Sequence, residues 1–426
     1  MSVKTSMDGD HVEVLRDVSD IERLRGFWLA CNPSRDADPD LFRFLIETRP
    51  RGDTPCILIL RAGGELKALL VGRLIRARLP IKIAYFRIPS PELRMLVISS
   101  GGWLGEIDET RAALFVASLR HLLANGEADA AVLHYSELTS PLARQALAQP
   151  AFACRDHLII RERYRVLDLP VGDKSFLASL SKKKRYSQRE RDRKLANDFA
   201  KVRIDAFSSP EDINRLMHYA ETIAQKSWQR GIGGAFAASN DKRARYEFLA
   251  RMGWLRSFVL CLDDRPSAFW IGTLRHGVFI SDYMAFDPVF GEYWPGMYLI
   301  LRVIEILAKD GTGPARQIVF GLGDEAYKQR LTKQAVEVAL VYIFAPNFRG
   351  LTANLLRSSL GRVNYTLKTL LGGTVWLAIA KRKWRVLPSI LTGRLSLSTI
   401  ARWMRTASIV RRFSSDSTTS KTNRKR

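Results

Sequence analysis

Three short groups of residues between positions 257 and 328 combine titratable side chains with turn-forming ones. Asp282-Tyr283 lies inside the apolar run 278–286. Trp294-Pro295-Gly296-Met297 stands where a loop passes into a helical pattern whose Leu299, Ile300, Val303, Ile306 and Leu307 share one face. Gly321-Leu322-Gly323-Asp324-Glu325-Ala326-Tyr327-Lys328 follows a strand-like stretch at 317–320. Proline is tolerated at the first helical position, and glycine lets another group approach the backbone closely. The first N–H groups of a helix have no internal partner. A strand, a tight loop and a helix start therefore make a place for an anion such as a pyrophosphate. Pro-Gly also serves as plain helix punctuation. Here it is neither a P-loop, for want of Gly-Lys-Ser/Thr, nor a G-x-G-x-x-G turn. Asp282, Asp324, Glu325, Tyr327 and Lys328 bring proton-donating, proton-accepting and charge-pairing groups to strand ends, where structural hydrogen bonds and ion pairs are the alternative.

These groups need elements to hold them. Phe258 to Leu262 and Ala268 to Leu274 are apolar runs separated by Asp263-Asp264-Arg265-Pro266, the pattern of a hairpin. The 278–286 run follows Arg275-His276-Gly277 as a third strand, and the helix pattern stops at Asp310-Gly311. No Ser–His–Asp arrangement, HExxH or Cys/His cluster is visible. His218 and His276 stand alone.

The ordered set of hairpin, Asp282-Tyr283 strand, Trp294-Pro295-Gly296 and Gly321-x-Gly323-x-x-x-Tyr327-Lys328 resembles a known family. It is similar to the acetyltransferase domain of the GNAT superfamily found in CelD-type cellulose-biosynthesis proteins, relatives of the Fem peptidoglycan aminoacyltransferases. The resemblance covers roughly 176–344, and its most specific parts are the Pro-Gly helix start and the Gly…Tyr-Lys end. The Arg/Gln-x-x-Gly-x-Gly/Ala loop of ordinary GNAT enzymes is missing. The resemblance implies acetyl-CoA or another acyl-CoA as co-substrate, gripped by Trp294, Pro295, Gly296, Met297 and Lys328, and no metal. It also implies Tyr327 as the acid, with Asp282 or Asp324 as base or substrate-orienting group. Lys328 would pair with a phosphate or with one of these carboxylates. Trp228 and Trp294 could wall an acyl pocket, although tryptophan is also a core residue. A thioester is already activated, so positioning and the management of two protons suffice, which suits a chain without a catalytic triad.

The chain before this stretch has the same order of elements. A strand at 11–15 precedes helices at 19–31 and 38–47, and a hairpin at 56–60 and 66–74 turns at Gly63-Gly64. Strands follow at 82–88 and 96–99, a helix at 109–124, a strand at 130–135, a helix at 141–147 and a strand at 158–167. The second half repeats this with a strand at 202–207, helices at 210–226 and 241–252, and then its own hairpin. Shifting the chain by 200 positions lays Leu60 on Leu260, Ala68 on Ala268, Gly72 on Gly272 and Leu74 on Leu274, as a duplication would. The fold expected is α/β (α+β) with tandem GNAT-like domains, each a mixed central sheet flanked by helices. The expected domains are 1–168, a basic linker helix at 169–200 capped by Asp173, the acyl-CoA-binding half at 201–345, an extension at 346–392 and a tail at 393–426. The first half lacks Gly-x-Gly…Tyr-Lys and has Ser99-Ser100-Gly101-Gly102-Trp103-Leu104-Gly105 before its helix. It reads as the structural or substrate-side partner.

Net charge is +24 over 426 residues, so an acidic partner is expected: nucleic acid, anionic lipid or a phosphorylated substrate. The basic run from Ser181 to Lys194 is either a solvated linker or an electropositive wall. With Tyr186 as its one aromatic it is poorly suited to single-stranded RNA. After Phe344, helices are expected near 354–356 and 363–371 and a strand at 375–380. Leu397, Ile400, Trp403, Met404, Val410 and Phe413, with Arg402, Arg405, Arg411 and Arg412 among them, form a basic amphipathic pattern. It either docks on the protein or meets an anionic membrane through 393–413. Four scattered cysteines, no signal peptide and no long apolar run point to a cytoplasmic protein that can lie at the inner face of the membrane.

The expected function is acyl-CoA-dependent N- or O-acyl transfer, with acetyl foremost, to a small-molecule or glycan acceptor: a sugar or polysaccharide/cell-envelope precursor. Nucleic acid enters only under the alternative, Fem-like aminoacyl transfer from aminoacyl-tRNA. A third reading is a catalytically silent component of a polysaccharide synthesis complex.

Overall fold

The computed structural model describes residues 5–7, 9–48, 52–83, 86–170, 175–227, 236–311 and 313–372. The chain opens with β1 (Thr5–Met7), β2 (Asp10–Leu15), α1 (Ser19–Ala30) and α2 (Pro39–Glu47). The hairpin β3 (Thr54–Ala62) and β4 (Glu65–Arg78) is followed by the short pair β5 (Lys82–Ile83) and β6 (Phe86–Arg87). Next come β7 (Glu92–Gly105), α3 (Glu109–Ala124), β8 (Ala130–Glu137), α4 (Pro141–Ala148) and β9 (Arg161–Asp168). A single turn, α5 (Phe176–Ser179), and the basic helix α6 (Lys182–Asp198) lead to β10 (Val202–Phe207), α7 (Ile213–Lys226) and α8 (Asn240–Arg251). The chain continues through β11 (Leu255–Leu262), β12 (Arg265–Arg275), β13 (Val278–Phe286), α9 (Pro295–Leu307) and β14 (Gln317–Val319). It closes with α10 (Ala326–Leu331), β15 (Ala335–Phe344) and α11 (Phe348–Gly372).

Two compact units result, one from residues 1–164 with 336–372, the other from 165–335. In the first, the sheet order is β1-β2-β3-β4-β7-β8-β15, antiparallel throughout except for the β7/β8 pair. In the second it is β9-β14-β13-β12-β11-β10, again antiparallel except for one pair, β13/β14. Each parallel pair is bridged by a crossover helix, α3 or α9, as parallel strands require. The units repeat one plan, a mixed sheet with flanking helices.

The repeat extends to register. Leu60 pairs with Ala68 and a bulge follows at once. Leu260 pairs with Ala268 and a bulge follows at the same step. Both hairpins turn on two residues with positive φ, Gly63-Gly64 in one and Asp263-Asp264 in the other, the geometry that matches strand twist. Gly72 and Gly272 both adjoin a second bulge, on the opposite edge of the hairpin. Each is glycine for the same reason. A Cβ on Gly72 would lie 2.7 Å from Ile98 Cδ1, and one on Gly272 would lie 2.3 Å from the Phe279 ring.

Two expectations about the division of the chain are corrected. The strand expected at 158–167 to close the first half is β9, which pairs with β14 in the second unit. Residues 335–344, placed in the second half by the expected 201–345 domain, form β15, which pairs antiparallel with β8 in the first. The reason is the free edge that β8 offers beyond its parallel neighbour, which needs a partner. No local sequence signal reports such a long-range pairing. The expected 82–88 strand is interrupted and becomes the β5/β6 pair. The helices near 354–356 and 363–371 are one helix, α11. Its Arg357 forms a buried ion pair with Asp156, whose other oxygen accepts from the Tyr342 N–H at 3.1 Å. The expected N-cap Asp173, the 375–380 strand and the 393–413 helix lie outside the described residues. Ser175 caps α5 and Ser181 caps α6. Among the described residues, no helix is long and apolar enough to cross a membrane.

The second core is built around α9, whose Leu299, Ile300, Val303, Ile304 and Leu307 are buried against the sheet. Trp270 stacks on Phe320 (centroids 6.0 Å apart) and meets Phe279 edge-on at 5.0 Å. Its indole N–H donates to Ser281 Oγ at 2.8 Å. Gly272→Ala should therefore lower stability by about 1–3 kcal/mol through overpacking. Gly296→Ala, where a Cβ comes no closer than 3.5 Å to Phe286, should leave the melting temperature unchanged or slightly raised. Thermal unfolding of the two variants checks this, and equal losses would refute it.

Candidate active site

β13 and β14 run in register over three residues only, Val278–Ile280 against Gln317–Val319. Beyond that point Ser281 to Phe286 continue with β12 on one side and, among the described residues, no strand on the other. The parting coincides with the Gly272 bulge, because Ile271 faces Tyr283 while Gly272 faces Ser281. Asp282 is the extra residue. Bulges of this kind re-aim side chains next to functional sites, and in open sheets ligands bind at the carboxyl ends of strands where neighbours part. Three of the expected groups meet at this end of the sheet: Asp282, the α9 N-terminus that follows β13, and the Gly321–Lys328 turn that follows β14.

The α9 N-terminus is uncapped. Trp294 occupies the cap position with left-handed dihedrals (φ 56°, ψ 47°) and gives no side-chain hydrogen bond. Pro295 fills the first turn, and the first main-chain bond back into the helix region is from Tyr298 N–H to Trp294 O at 3.0 Å. The Gly296 and Met297 N–H groups thus have no helical partner, and the side of Gly296 is open apart from Phe286. In the first unit the equivalent helix differs: Asp108 caps α3, accepting from Arg111 N–H at 2.8 Å, and Glu109 adds a second acid. An anion is favoured at a helix N-terminus by its unpaired donors and dipole. That place is taken in α3 and open in α9.

Positive charge lies beside it. The basic helix α6 packs against α9 and the turn before it, and so forms part of this corner rather than a free linker. The Arg191 guanidinium lies over the Trp294 ring at 4.7 Å. Partial burial, and then the charge of Arg330, hold its pKa below the ordinary arginine value. Lys184 reaches the Arg330 carbonyl at 2.8 Å, which ties α6 to α10. Lys194 pairs with Glu292 at 2.9 Å, and Arg302 with Asp192 at 2.9 Å. Arg191 and Arg330 were not singled out from the sequence. The basic run announced charge there, but not that Arg191 within it would come under the charge of Arg330 on α10.

The Gly321–Lys328 turn is built differently from one expectation. Lys328 is buried, and its ammonium donates to the carbonyls of Gly321, Leu322 (3.0 Å) and Gly323 (3.2 Å) while pairing with Glu325 at 2.8 Å. All its protons are spent on the turn, and its carboxylate partner is Glu325 rather than Asp282 or Asp324. Lys328 does not grip a phosphate. Gly323 accommodates φ of 102°, which few side chains adopt. Asp324 is bound to Arg165 at 2.5 Å, so its charge is already committed. Tyr327 packs edge-on against Phe320 at 6.4 Å, and its hydroxyl makes no hydrogen bond to another described residue. Burial, then the charge of Glu325, pushes its pKa well above the ordinary phenol value. Burial and the neighbouring Asp282 charge likewise raise Tyr283. Trp228 lies outside the described residues.

Residues 182–329, all within the second unit, match the family model described as an acetyltransferase (GNAT) domain. The second unit is thus an acyltransferase domain of GNAT type, and the chain an acyltransferase by class. No curated protein matches the chain. Among solved structures it is similar to FemX at 12% identity over 79% of this chain and 96% of that one, with a TM-score of 0.49. It is also similar to the C-terminal domain of a putative lysylphosphatidylglycerol synthetase from Agrobacterium fabrum (14% identity, 82% and 96% covered, TM-score 0.44). A third is a GCN5-related N-acetyltransferase from Sphaerobacter thermophilus (13% identity, 80% and 97% covered, TM-score 0.40). Likenesses this distant bear on neither activity nor substrate.

Lys328→Met should strip three turn carbonyls of their shared donor and cost about 2–4 kcal/mol. A chemical denaturation curve that shifts by less than 1 kcal/mol would show that water replaces the ammonium.

Proposed function

We propose that the chain transfers an acyl group, acetyl foremost, from acyl-CoA to an amine or hydroxyl of a sugar or polysaccharide precursor, as the CelD-type resemblance implies. The observation that carries this reading is the uncapped α9 N-terminus flanked by Arg191, beside two diverging parallel strands. The Gly296 and Met297 N–H groups and the Arg191 guanidinium take the pyrophosphate of the donor. The edge of β13 past its pairing with β14 receives the arm that carries the thioester, as strand addition to a sheet edge does.

The acceptor attacks the thioester carbonyl, a C–N or C–O bond forms, and the C–S bond breaks. Tyr327 gives its proton to the departing thiolate, and Asp282 takes the proton released by the acceptor. Asp324 serves by anchoring the turn through Arg165. A phenol held protonated by its surroundings suits the role of acid, since it is never lost to ionisation at neutral pH.

Gly296→Val should weaken coenzyme A binding at least tenfold in a folded protein, by blocking approach to the backbone. Calorimetric titration with an unchanged affinity would remove the site from this helix. Tyr327→Phe should lower kcat tenfold or more with donor affinity retained. Because its pKa is raised, the wild-type kcat should show no alkaline fall from loss of this acid below pH 10. Full turnover in the phenylalanine variant would place the acid elsewhere. Acyl transfer that requires aminoacyl-tRNA instead of acyl-CoA would replace this reading with a Fem-like one.

A further inference from the structure

The first unit holds a cavity of about 410 Å3 lined by Arg76, Arg94, Arg349, Glu92 and Leu93. Its three arginines come from three separate elements, β4, β7 and α11. Arg76 and Arg94 sit directly opposite one another across the antiparallel β4/β7 pair. Like charges in that position destabilise a sheet.

Two of the three guanidinium groups are held in place from behind. Arg94 donates to the Gly126 carbonyl at 2.7 Å and lies 3.9 Å from Asp129. Arg349 donates to the Glu92 carbonyl at 2.6 Å and lies 3.5 Å from the same Asp129. Asp129 is fully buried and accepts the Arg94 main-chain N–H at 2.9 Å, so it cannot turn away. Arg76 makes no hydrogen bond or ion pair with a described residue. Arg94 and Arg349 share the one Asp129 carboxylate, and the Arg76 fork of donors is engaged by no described residue. Planar guanidinium forks match phosphate oxygens in pairs.

We propose that this cavity is a second ligand site, in the first unit, for a small molecule bearing a phosphate or pyrophosphate group, which Arg76 engages while Arg94 and Arg349 frame it. The ligand relieves the Arg76/Arg94 repulsion, so its binding stabilises the β4/β7 pair and weakens with salt. The site stands on residues separate from those at α9, and its fate is independent of theirs.

The test is calorimetric titration of the full chain with inorganic pyrophosphate at low chloride. Arg76→Gln should weaken one class of pyrophosphate site at least tenfold while coenzyme A binding stays as in the wild type. Arg120→Gln removes the same charge from α3 outside the cavity and should leave pyrophosphate affinity unchanged. Because Arg76 is exposed and has no partner among the described residues, its glutamine variant should fold, and Arg76→Lys should restore part of the affinity. Equal losses in Arg76→Gln and Arg120→Gln would reduce the effect to diffuse charge and overturn the site. So would pyrophosphate binding abolished by Gly296→Val alone. Phosphatidylglycerol vesicles supply the same chemistry as a surface. Vesicle binding that depends on Arg76, without any pyrophosphate binding, would overturn the small-molecule assignment in favour of a membrane.

Discussion

The second unit depends on one constraint: β13 and β14 can stay together for only three residues. Past Ile280 the Gly272 bulge inserts Asp282 and turns β13 away, and no side chain larger than hydrogen fits at Gly272 against Phe279. Past the parting no strand among the described residues pairs with β13 on that side, and backbone groups demand partners. The crossover helix must begin where β13 ends, so its own unpaired N–H groups arrive at the same place. The α9 apolar face, packed around Trp270 and Phe320, fixes the helix there. Site and core are consequences of the same departure from a regular sheet.

The first unit shows what the same plan does without that outcome. It too has a parallel pair, β7/β8, with pairing confined to Met95–Ile98 against Ala130–Leu133. Four residues, from Ser99 to Gly102, loop out opposite Val71. Ser34 ties that loop down through a 2.9 Å bond to the Ser100 carbonyl, and Gly101 has φ of 66°. The helix start that would receive an anion is already occupied by Asp108. Duplication thus left two copies of one frame, and capping chemistry at a single helix position distinguishes them. The basic α6, whose Arg191 covers Trp294, reinforces the difference.

Much of this was legible in the sequence because the signals are local. Alternation and turn residues placed the 278–286 strand and the 109–124 helix at the observed ends, and the 200-residue offset lays one hairpin on the other, although the bulges they share after Leu60 and Leu260 are a finding of the structure. Pro295 and Gly296 marked the helix start correctly. What escaped was non-local. The destination of 335–344 depends on the edge of β8, two hundred residues earlier in the chain. The burial of Lys328 depends on three carbonyls folding back over it. The commitment of Asp324 depends on Arg165 in a distant strand. A residue type states what a side chain can do, and its neighbours decide which of those things it does.

Hydrogen–deuterium exchange of the full chain with and without acetyl-CoA tests the central claim most directly. Protection is predicted at the start of α9, residues 294–300, and in the 320–328 turn, with no change at the start of α3 near 109–112. Protection at the α3 start, or none at 294–300 under saturating acetyl-CoA, would contradict it.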